Sequence, residues 1–571
     1  MIRVADYIAE FLERAGIKDV FMLTGNGAMY LNDAIALSGL NFYCARNEAA
    51  APMMAEAYAR MKGSLGAVCV TSGPGSTNAV PGLAEAWVDA APVLVLSGQV
   101  QRNHTTRNAD TPGLRTFGTA EIDIIPIVEP LTKYAAMVNE PESIRYHLEK
   151  AAHLATTGRP GPVWLDIPMD IQYCLVDPET LEGYTPPPDE NTFPEIDNGA
   201  EALINLLSSA ERPLLVAGHG VRQSGSSDEL VRLMESAGIP VMFSRLGYDL
   251  VPFSHPLNCG LAGLKGTRYC ASILKSADLV VSLGCRLAIQ LVGHQFDCFS
   301  PDAKVVMVDI DEAELKKPGI QVDLPLHSDL KPFLQTLLTR LRPTALPDWS
   351  QWRDQCRTLK EQHPMISEAM RWQDPIDLYW FMSRLDELSD KNHIFVTDAG
   401  SNYYAGGQTY HFEKGQREIT SGTFASMGLS IPLAIGASIA AKTSQILAVT
   451  GDGSLELNIQ ELKTMSHYNL NIKLFVINNG GYVSMRNWQD GFFEGRRIDG
   501  EDTTGAGTLD LESVAAAFSL KYVAIQNHKD VDAKIKQILS DDGPTFVEVV
   551  CDQNQKIVEP IKDLSFEVAG V

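Results

Sequence analysis

Ile446-Leu447-Ala448-Val449-Thr450 runs into Gly451-Asp452-Gly453, and Lys473-Leu474-Phe475-Val476-Ile477 runs into Asn478-Asn479. Both are short apolar runs with the β-branched content of buried strands, each closed by a polar turn. The 24 residues between the two turns begin Ser454-Leu455-Glu456 and pass through Ile459-Gln460-Glu461-Leu462. They predict a crossover helix linking two parallel strands. Such a unit sets both strand ends side by side at the carboxyl edge of a sheet, where α/β proteins bind ligands. A carboxylate and an amide oxygen then converge, which suits a hard cation such as magnesium that still needs phosphate oxygens. Gly453 and Ser454 are expected to turn free backbone N–H groups and a hydroxyl toward a diphosphate at the helix start. A lone Gly-Asp-Gly is more often an ordinary turn. The spaced Asn-Asn and the flanking strands make this one a site.

Outward from this unit, the same alternation of strand and helix fills the chain. Helical spacing covers Ala5 to Ala15 and Glu48 to Met61, and strand-like runs cover Asp19 to Leu23, Ala67 to Thr71, Pro92 to Ser97 and Val163 to Ile167. Further strands are expected at Pro213 to Ala217, Pro240 to Phe243, Leu279 to Leu283, Val305 to Asp309, Ile394 to Thr397 and Thr545 to Val549. Tyr184 to Glu190 and Pro343 to Trp352 read as linkers. The expectation is an α/β protein of three doubly wound parallel-sheet domains, residues 1–180, 190–343 and 372–555, the first and third alike in layout.

At 571 residues the chain exceeds what one core usually supports, which agrees with about three domains. A net charge of −24 argues against a nucleic-acid footprint, which needs a basic face. No apolar stretch reaches the ~20 residues of a membrane-spanning helix. Met1 to Tyr7 carries acid at once and lacks a signal-peptide core. The nine cysteines are scattered and never spaced Cys-x-x-Cys, so they read as buried thiols of a cytoplasmic protein.

Several separated motifs carry a resemblance. They are the Gly-Asp-Gly and Asn-Asn turns, Thr71-Ser72-Gly73-Pro74-Gly75-Ser76-Thr77-Asn78, and Arg159-Pro160-Gly161-Pro162-Val163. With these motifs in the family's order along the chain, from about Ala5 to about Val550, the chain resembles the thiamine-diphosphate enzymes, in the branch holding acetolactate synthase, pyruvate oxidase and pyruvate decarboxylase. The resemblance implies a pyrimidine-binding first domain, a central domain, and a third domain for the diphosphate and metal. It makes Asp452, Asn479 and the Gly481 carbonyl the magnesium ligands. Arg46-Asn47-Glu48 is similar to the family's Arg-His-Glu segment, which makes Glu48 the carboxyl that activates the cofactor's aminopyrimidine. A glutamate in a helix's first turn is otherwise explained by the helix dipole alone. Gly25 and Asn78 fall at the pyrimidine site, and Gly400, Ser401 and Asn402 where family members grip the diphosphate. Met427 takes the place of the side chain wedged between the two cofactor rings, and the Ala425 carbonyl would receive the amino group.

Arg486-Asn487-Trp488-Gln489 is similar to the acetolactate-synthase segment whose tryptophan lines the acceptor pocket. Two departures touch that pocket. Ala120 stands where those synthases have a glutamine, and Gln290 where they have a carboxylate-binding arginine. A neutral amide does not recover a bidentate arginine–carboxylate contact.

The resemblance therefore implies a carboligase that decarboxylates pyruvate or a related 2-keto acid and transfers the two-carbon unit to a second carbonyl, a ketone or keto sugar among the candidates. The alternatives are a decarboxylase that releases an aldehyde, and a non-catalytic family member. Asn47 in place of the family histidine tilts the choice toward ligation. Gly218-His219-Gly220 and Val306 to Asp311 are compatible with FAD, another nucleotide or an empty domain. The family implies a homodimer or a dimer of dimers.

Overall fold

The computed structural model of the chain describes residues 1–571 except 189–192, 194, 343, 391, 562, 563 and 565–571. Asp189, Glu190 and Pro343 of the expected linkers lie outside the described residues. Each of three regions folds around a six-stranded, wholly parallel sheet flanked by helices. The first sheet is built in chain order from Asp19–Met22, Asn41–Cys44, Gly66–Val70, Val93–Gln99, Tyr134–Met137 and Val163–Pro168. Their spatial order is 2-1-3-4-6-5. The third sheet uses Ile394–Thr397, Arg417–Ile419, Ile446–Gly451, Ile472–Asn478, Lys521–Ile525 and Thr545–Val550 in the same order, 2-1-3-4-6-5. The likeness expected of the two outer blocks is thus an identity of topology.

The central sheet differs. Pro213–Ala217, Val241–Phe243, Asn258–Leu261, Leu279–Leu283, Lys304–Asp309 and Leu324–His327 lie in order 3-2-1-4-5-6, the dinucleotide-binding arrangement. All three sheets owe their burial to helices on both faces, which is why strands such as Gly66–Val70 and Val93–Gln99 are buried at every residue, the first reading as an unbroken apolar run. A two-residue ribbon, Ile2–Arg3 with Leu175–Val176, is antiparallel and was not expected.

Three details depart from expectation. The crossover after Asp452 is a broken helix: Asp452–Leu455, a 3-10 segment Glu456–Glu461 kinked at Asn458, then Leu462–His467. The stretch Pro343 to Trp352 is not wholly linker, because helix Ser350–Gln362 begins within it. Trp349 and Trp352 donate their indole N–H groups to the carbonyls of Ala210 and Pro213 at 2.9 and 3.0 Å, anchoring that helix to the central sheet. Not every thiol is buried: Cys298 is exposed, and Cys44 and Cys174 are half-buried. Among the described residues no helix is long and apolar enough to cross a membrane.

Candidate functional site

The register of the third sheet sets Gly451 opposite Ile477, so Asp452 and Asn478-Asn479 leave adjacent strands at the same edge. Asp452 Oδ1 accepts the Gly453 N–H and Oδ2 accepts the Gly481 N–H, both at 2.9 Å. Burial pushes its carboxyl above the ordinary range, and these N–H groups pull it back only in part. Asn479 is buried, with Nδ2 3.5 Å from Ser401 Oγ. Gly481 has φ of +105°, a conformation that favours glycine at this turn. The Arg486 guanidinium, itself buried, clamps the turn by donating to the carbonyls of Asn479, Gly480, Gly500 and Gln553 at 2.6–2.8 Å. The donors on offer are one carboxylate, one amide oxygen and one carbonyl. Among the described residues no group of three or more His, Cys, Asp or Glu could hold a metal. An all-oxygen set of this kind fits magnesium completed by phosphate oxygens, not zinc.

Asp398, at the end of the neighbouring strand, organises the rest of this edge. Its Oδ1 accepts from Ala399 N–H at 2.7 Å and Asn402 Nδ2 at 2.9 Å; Oδ2 accepts from Thr450 Oγ1 at 2.8 Å and Ser454 Oγ at 2.7 Å. Burial pushes the Asp398 carboxyl up, against these four donors. Two expectations are corrected here. The Ser454 hydroxyl is not free, because it donates to Asp398 and accepts the Gly428 N–H at 2.8 Å. The Asn402 amide likewise turns inward, donating to Asp398 and to the Val449 carbonyl. Gly453, at the Asp452–Leu455 turn, remains beside Asp452, and Gly400 with Ser401 begins the helix Gly400–Thr409. Ala425 has φ of +52°, its N–H held by Ser421 Oγ at 2.7 Å. Met427 is half-buried and precedes Gly428, whose carbonyl accepts from Asn458 Nδ2 at 2.9 Å.

The first sheet gathers a second group. Glu48 lies in the turn after strand Asn41–Cys44, two residues before helix Ala50–Lys62, and its carbonyl accepts the Ala51 N–H at 3.2 Å. Asn78 Nδ2 donates to Glu48 Oε2 at 3.1 Å. Gly25 packs on Thr71, whose hydroxyl accepts the Gly27 N–H at 3.0 Å. The Ala120 carbonyl lies against Gly73 of the same loop. Gly25, Glu48, Asn78 and Ala120 therefore share one sheet edge, and the Asp452 group shares another.

A cavity of about 680 Å³ opens at the central sheet where all three regions meet, with Asp89 and Arg159 of the first and Thr423 of the third in its wall. It lies over the central sheet's topological switch, where Gly218 and Gly284 leave adjacent strands and the Gly218 N–H donates to the Leu283 carbonyl. A Cβ on Gly218 would stand 2.3 Å from the Gly284 carbonyl oxygen, so the two backbones pack as only glycine allows. His219 lines the cavity and is half-buried; desolvation, then nearby Arg60, Arg222 and Arg417, hold it well below the ordinary imidazole range. Its Nδ1 has no partner. Gln290 and Trp488 line the same cavity, with Gln290 Nε2 donating to the Thr423 carbonyl at 3.2 Å and Trp488 largely exposed. Arg286 bonds Thr423 Oγ1, and Lys265 pairs with Glu559 at 2.8 Å. Sequence reasoning missed the roles of Asp398, Arg486 and His219. Asp398 carried a signal, since it ends its strand as Asp452 ends the next.

Three family models match the chain. They are the thiamine pyrophosphate enzyme N-terminal TPP binding domain over residues 2–124, the central domain over 200–337, and the C-terminal TPP binding domain over 398–549. The acetolactate synthase large subunit of Lactococcus lactis is 32% identical over 563 residues, spanning 97% of this chain and 93% of that protein. The acetolactate synthase isozyme 1 large subunit of Escherichia coli is 32% identical over 556 residues, 97% and 94% of the two chains. The chloroplastic acetolactate synthase of Arabidopsis thaliana is 32% identical over 579 residues, 98% and 82%.

Proposed function

The chain belongs to the thiamine pyrophosphate enzyme family and is an acetolactate-synthase-like, thiamine-diphosphate-dependent carboligase; on that premise we propose the metal, the site residues and the acceptor. Magnesium is held by Asp452, Asn479 and the Gly481 carbonyl. The observation that carries this reading is the convergence of Asp452 and Asn479 from adjacent strands on one all-oxygen corner. The N-terminus of helix Gly400–Thr409, with Ser401 and the Gly453 backbone, faces the diphosphate. Asp398 acts behind them, fixing Ser454 and Asn402.

Thiamine diphosphate, when bound, supplies the thiazolium that stabilises the carbanion of 2-keto-acid decarboxylation. Glu48 holds a proton at the far ring nitrogen of the aminopyrimidine, and Asn78 fixes the Glu48 carboxyl by donating to Oε2. Met427 and the Ala425 carbonyl would help hold thiamine diphosphate, Met427 by packing on it and the carbonyl by accepting from its amino group. Glu48 of one copy and Asp452 of a second complete one site, so the working unit is a homodimer or a dimer of dimers. The central cavity holds a nucleotide, FAD in this reading; its size, its switch-point position and the unpartnered His219 Nδ1 suit one.

The donor is pyruvate or a related 2-keto acid. The acceptor is a neutral ketone or keto sugar, because Gln290 offers an amide where a second keto acid needs a cation. Losing a charge-assisted contact of ~1.5–3 kcal/mol costs a carboxylate-bearing acceptor roughly ten- to a hundredfold. Trp488 offers an aromatic face to the apolar side of such an acceptor. Steady-state competition between pyruvate and a neutral ketone as acceptors tests this. Preferential consumption of the ketone is expected; acetolactate formation that the ketone does not suppress would refute the acceptor reading and leave the cofactor reading standing.

A further inference from the structure

The two outer domains share one strand order, and their equivalent segments touch each other reciprocally. In the first domain the second strand, Asn41–Cys44, leads through residues 45–49 into helix Ala50–Lys62. In the third, Arg417–Ile419 leads through residues 420–429 into helix Ser430–Ala440. These two helices pack so closely that a Cβ on Gly436 would stand 2.1 Å from the Met54 carbonyl oxygen. The helical segments that follow each domain's third strand, Pro74–Val88 and Asp452–His467, then reach across to the opposite loop.

Each of these segments brings buried acids to backbone or hydroxyl donors. Asp89 Oδ2, just beyond Pro74–Val88, accepts the Gly422 N–H at 2.7 Å, and Glu85 Oε2 accepts Ser426 Oγ at 2.8 Å. They hold the loop that carries Ala425 and Met427. In return Glu461 Oε1 accepts two consecutive N–H groups, Arg46 at 2.8 Å and Asn47 at 2.9 Å. Its Oε2 accepts Thr464 Oγ1 at 2.7 Å, and Tyr468 Oη accepts the Cys44 N–H at 2.8 Å. Glu461 is fully buried. The N–H groups it receives belong to the two residues immediately before Glu48.

We infer that Glu461 is a positioning residue for the carboligation reaction: its carboxylate, from the third domain, fixes the 46–47 peptides and so sets where the Glu48 carboxyl stands. Glu48 sits in the turn just before its helix, where its carbonyl accepts the Ala51 N–H at 3.2 Å but its own N–H side of the turn is held from outside the domain. Asn78 fixes the side-chain end, the helix start holds the Glu48 carbonyl, and Glu461 holds the two peptides that enter the turn. One carboxylate oxygen accepting two consecutive N–H groups restrains both peptides of that turn, and the ionised acceptor makes each bond stronger than a neutral one. A misplacement of about 1 Å at a reacting group costs on the order of a hundredfold. Position, not the affinity of the site for its ligands, is what Glu461 supplies.

The inference rests on the reading of Glu48 given above, and the test separates the two. Holoenzyme with thiamine diphosphate and magnesium is followed by exchange of the thiazolium proton into deuterated water, with cofactor Kd measured in parallel. Glu48→Gln serves as the reference: an unslowed exchange there refutes the Glu48 reading itself. With Glu48→Gln slow, Glu461→Ala is expected to slow exchange at least tenfold while cofactor Kd stays within threefold. Glu461→Gln, which keeps the acceptor oxygen, is expected to restore most of the rate. Exchange in Glu461→Ala within twofold of wild type overturns the inference, as does a loss accounted for by weakened cofactor binding alone. Should Glu461→Ala not fold, Thr464→Val carries the test: a two- to fivefold slowing supports the inference, and an unchanged rate overturns it.

Discussion

The Gly481 N–H donates to Asp452 Oδ2 at 2.9 Å, tying the turn after one strand to the carboxylate that ends its neighbour. The Gly481 carbonyl and the Asp452 carboxylate therefore move as one unit. Arg486 holds the same turn from behind through four carbonyls. On the proposed assignment, a corner preformed in this way would leave the ligand only its phosphate oxygens to contribute to the metal.

Asp452→Ala is expected to abolish magnesium binding and weaken thiamine-diphosphate affinity at least a hundredfold, measured by calorimetric titration. In the wild type the Asp452 carboxyl is raised by burial and must be ionised to bind the cation. Magnesium affinity should accordingly fall as pH is lowered, beginning above the ordinary carboxylate range. Unchanged cofactor affinity in the variant would move the metal elsewhere.

Asp398→Ala leaves four donors, on Ala399, Asn402, Thr450 and Ser454, without their acceptor. A loss of ~3–5 kcal/mol in folding stability is expected, together with weakened cofactor binding. Ser401→Ala, by contrast, should cost under ~1 kcal/mol of stability. Denaturant unfolding of both variants checks the contrast.

The corner at Asp452 was legible because two strand-terminating turns declare themselves in one short stretch. The inward turn of Asn402 and the engaged hydroxyl of Ser454 were not, since side-chain direction depends on Asp398, more than 50 residues from Ser454 in the chain. Glu461 and Glu85 act across domains on residues several hundred positions away, and no spacing records that. The stretch from Pro343 to Trp352 misled because its prolines signal a linker, while Trp349 and Trp352 are anchored by contacts with the central sheet. The four inner strands of each sheet were legible from their apolar runs, but the edge strands, Asn41–Cys44, Tyr134–Met137, Asn258–Leu261, Leu324–His327, Arg417–Ile419 and Lys521–Ile525, were not, since an edge strand needs no unbroken apolar run.

Glu85 is buried, and desolvation followed by the nearby Asp89 carboxylate pushes its carboxyl up to about 7. Its folded-state pKa lies above the unfolded one, so its contribution to stability is complete at pH 4 and is lost as pH rises through 7. Glu85→Gln removes that dependence while keeping an acceptor for Ser426. The variant should gain ~1–3 kcal/mol over wild type at pH 8 relative to pH 5. Thermal unfolding at the two pH values reads this; an equal pH dependence in both proteins would contradict it.

Mixing inactive Glu48→Gln with inactive Asp452→Ala protein, after subunit exchange, should recover part of the activity through hybrid sites with both residues intact. Failure to recover any, with exchange verified by tagged subunits, would mean that each chain builds its own site.

The most direct test of the account is product analysis by carbon NMR of the purified holoenzyme given labelled pyruvate and a neutral ketone. The account predicts release of carbon dioxide and a product in which the labelled two-carbon unit is joined to the ketone's carbonyl carbon. Acetaldehyde as the sole labelled organic product would contradict it.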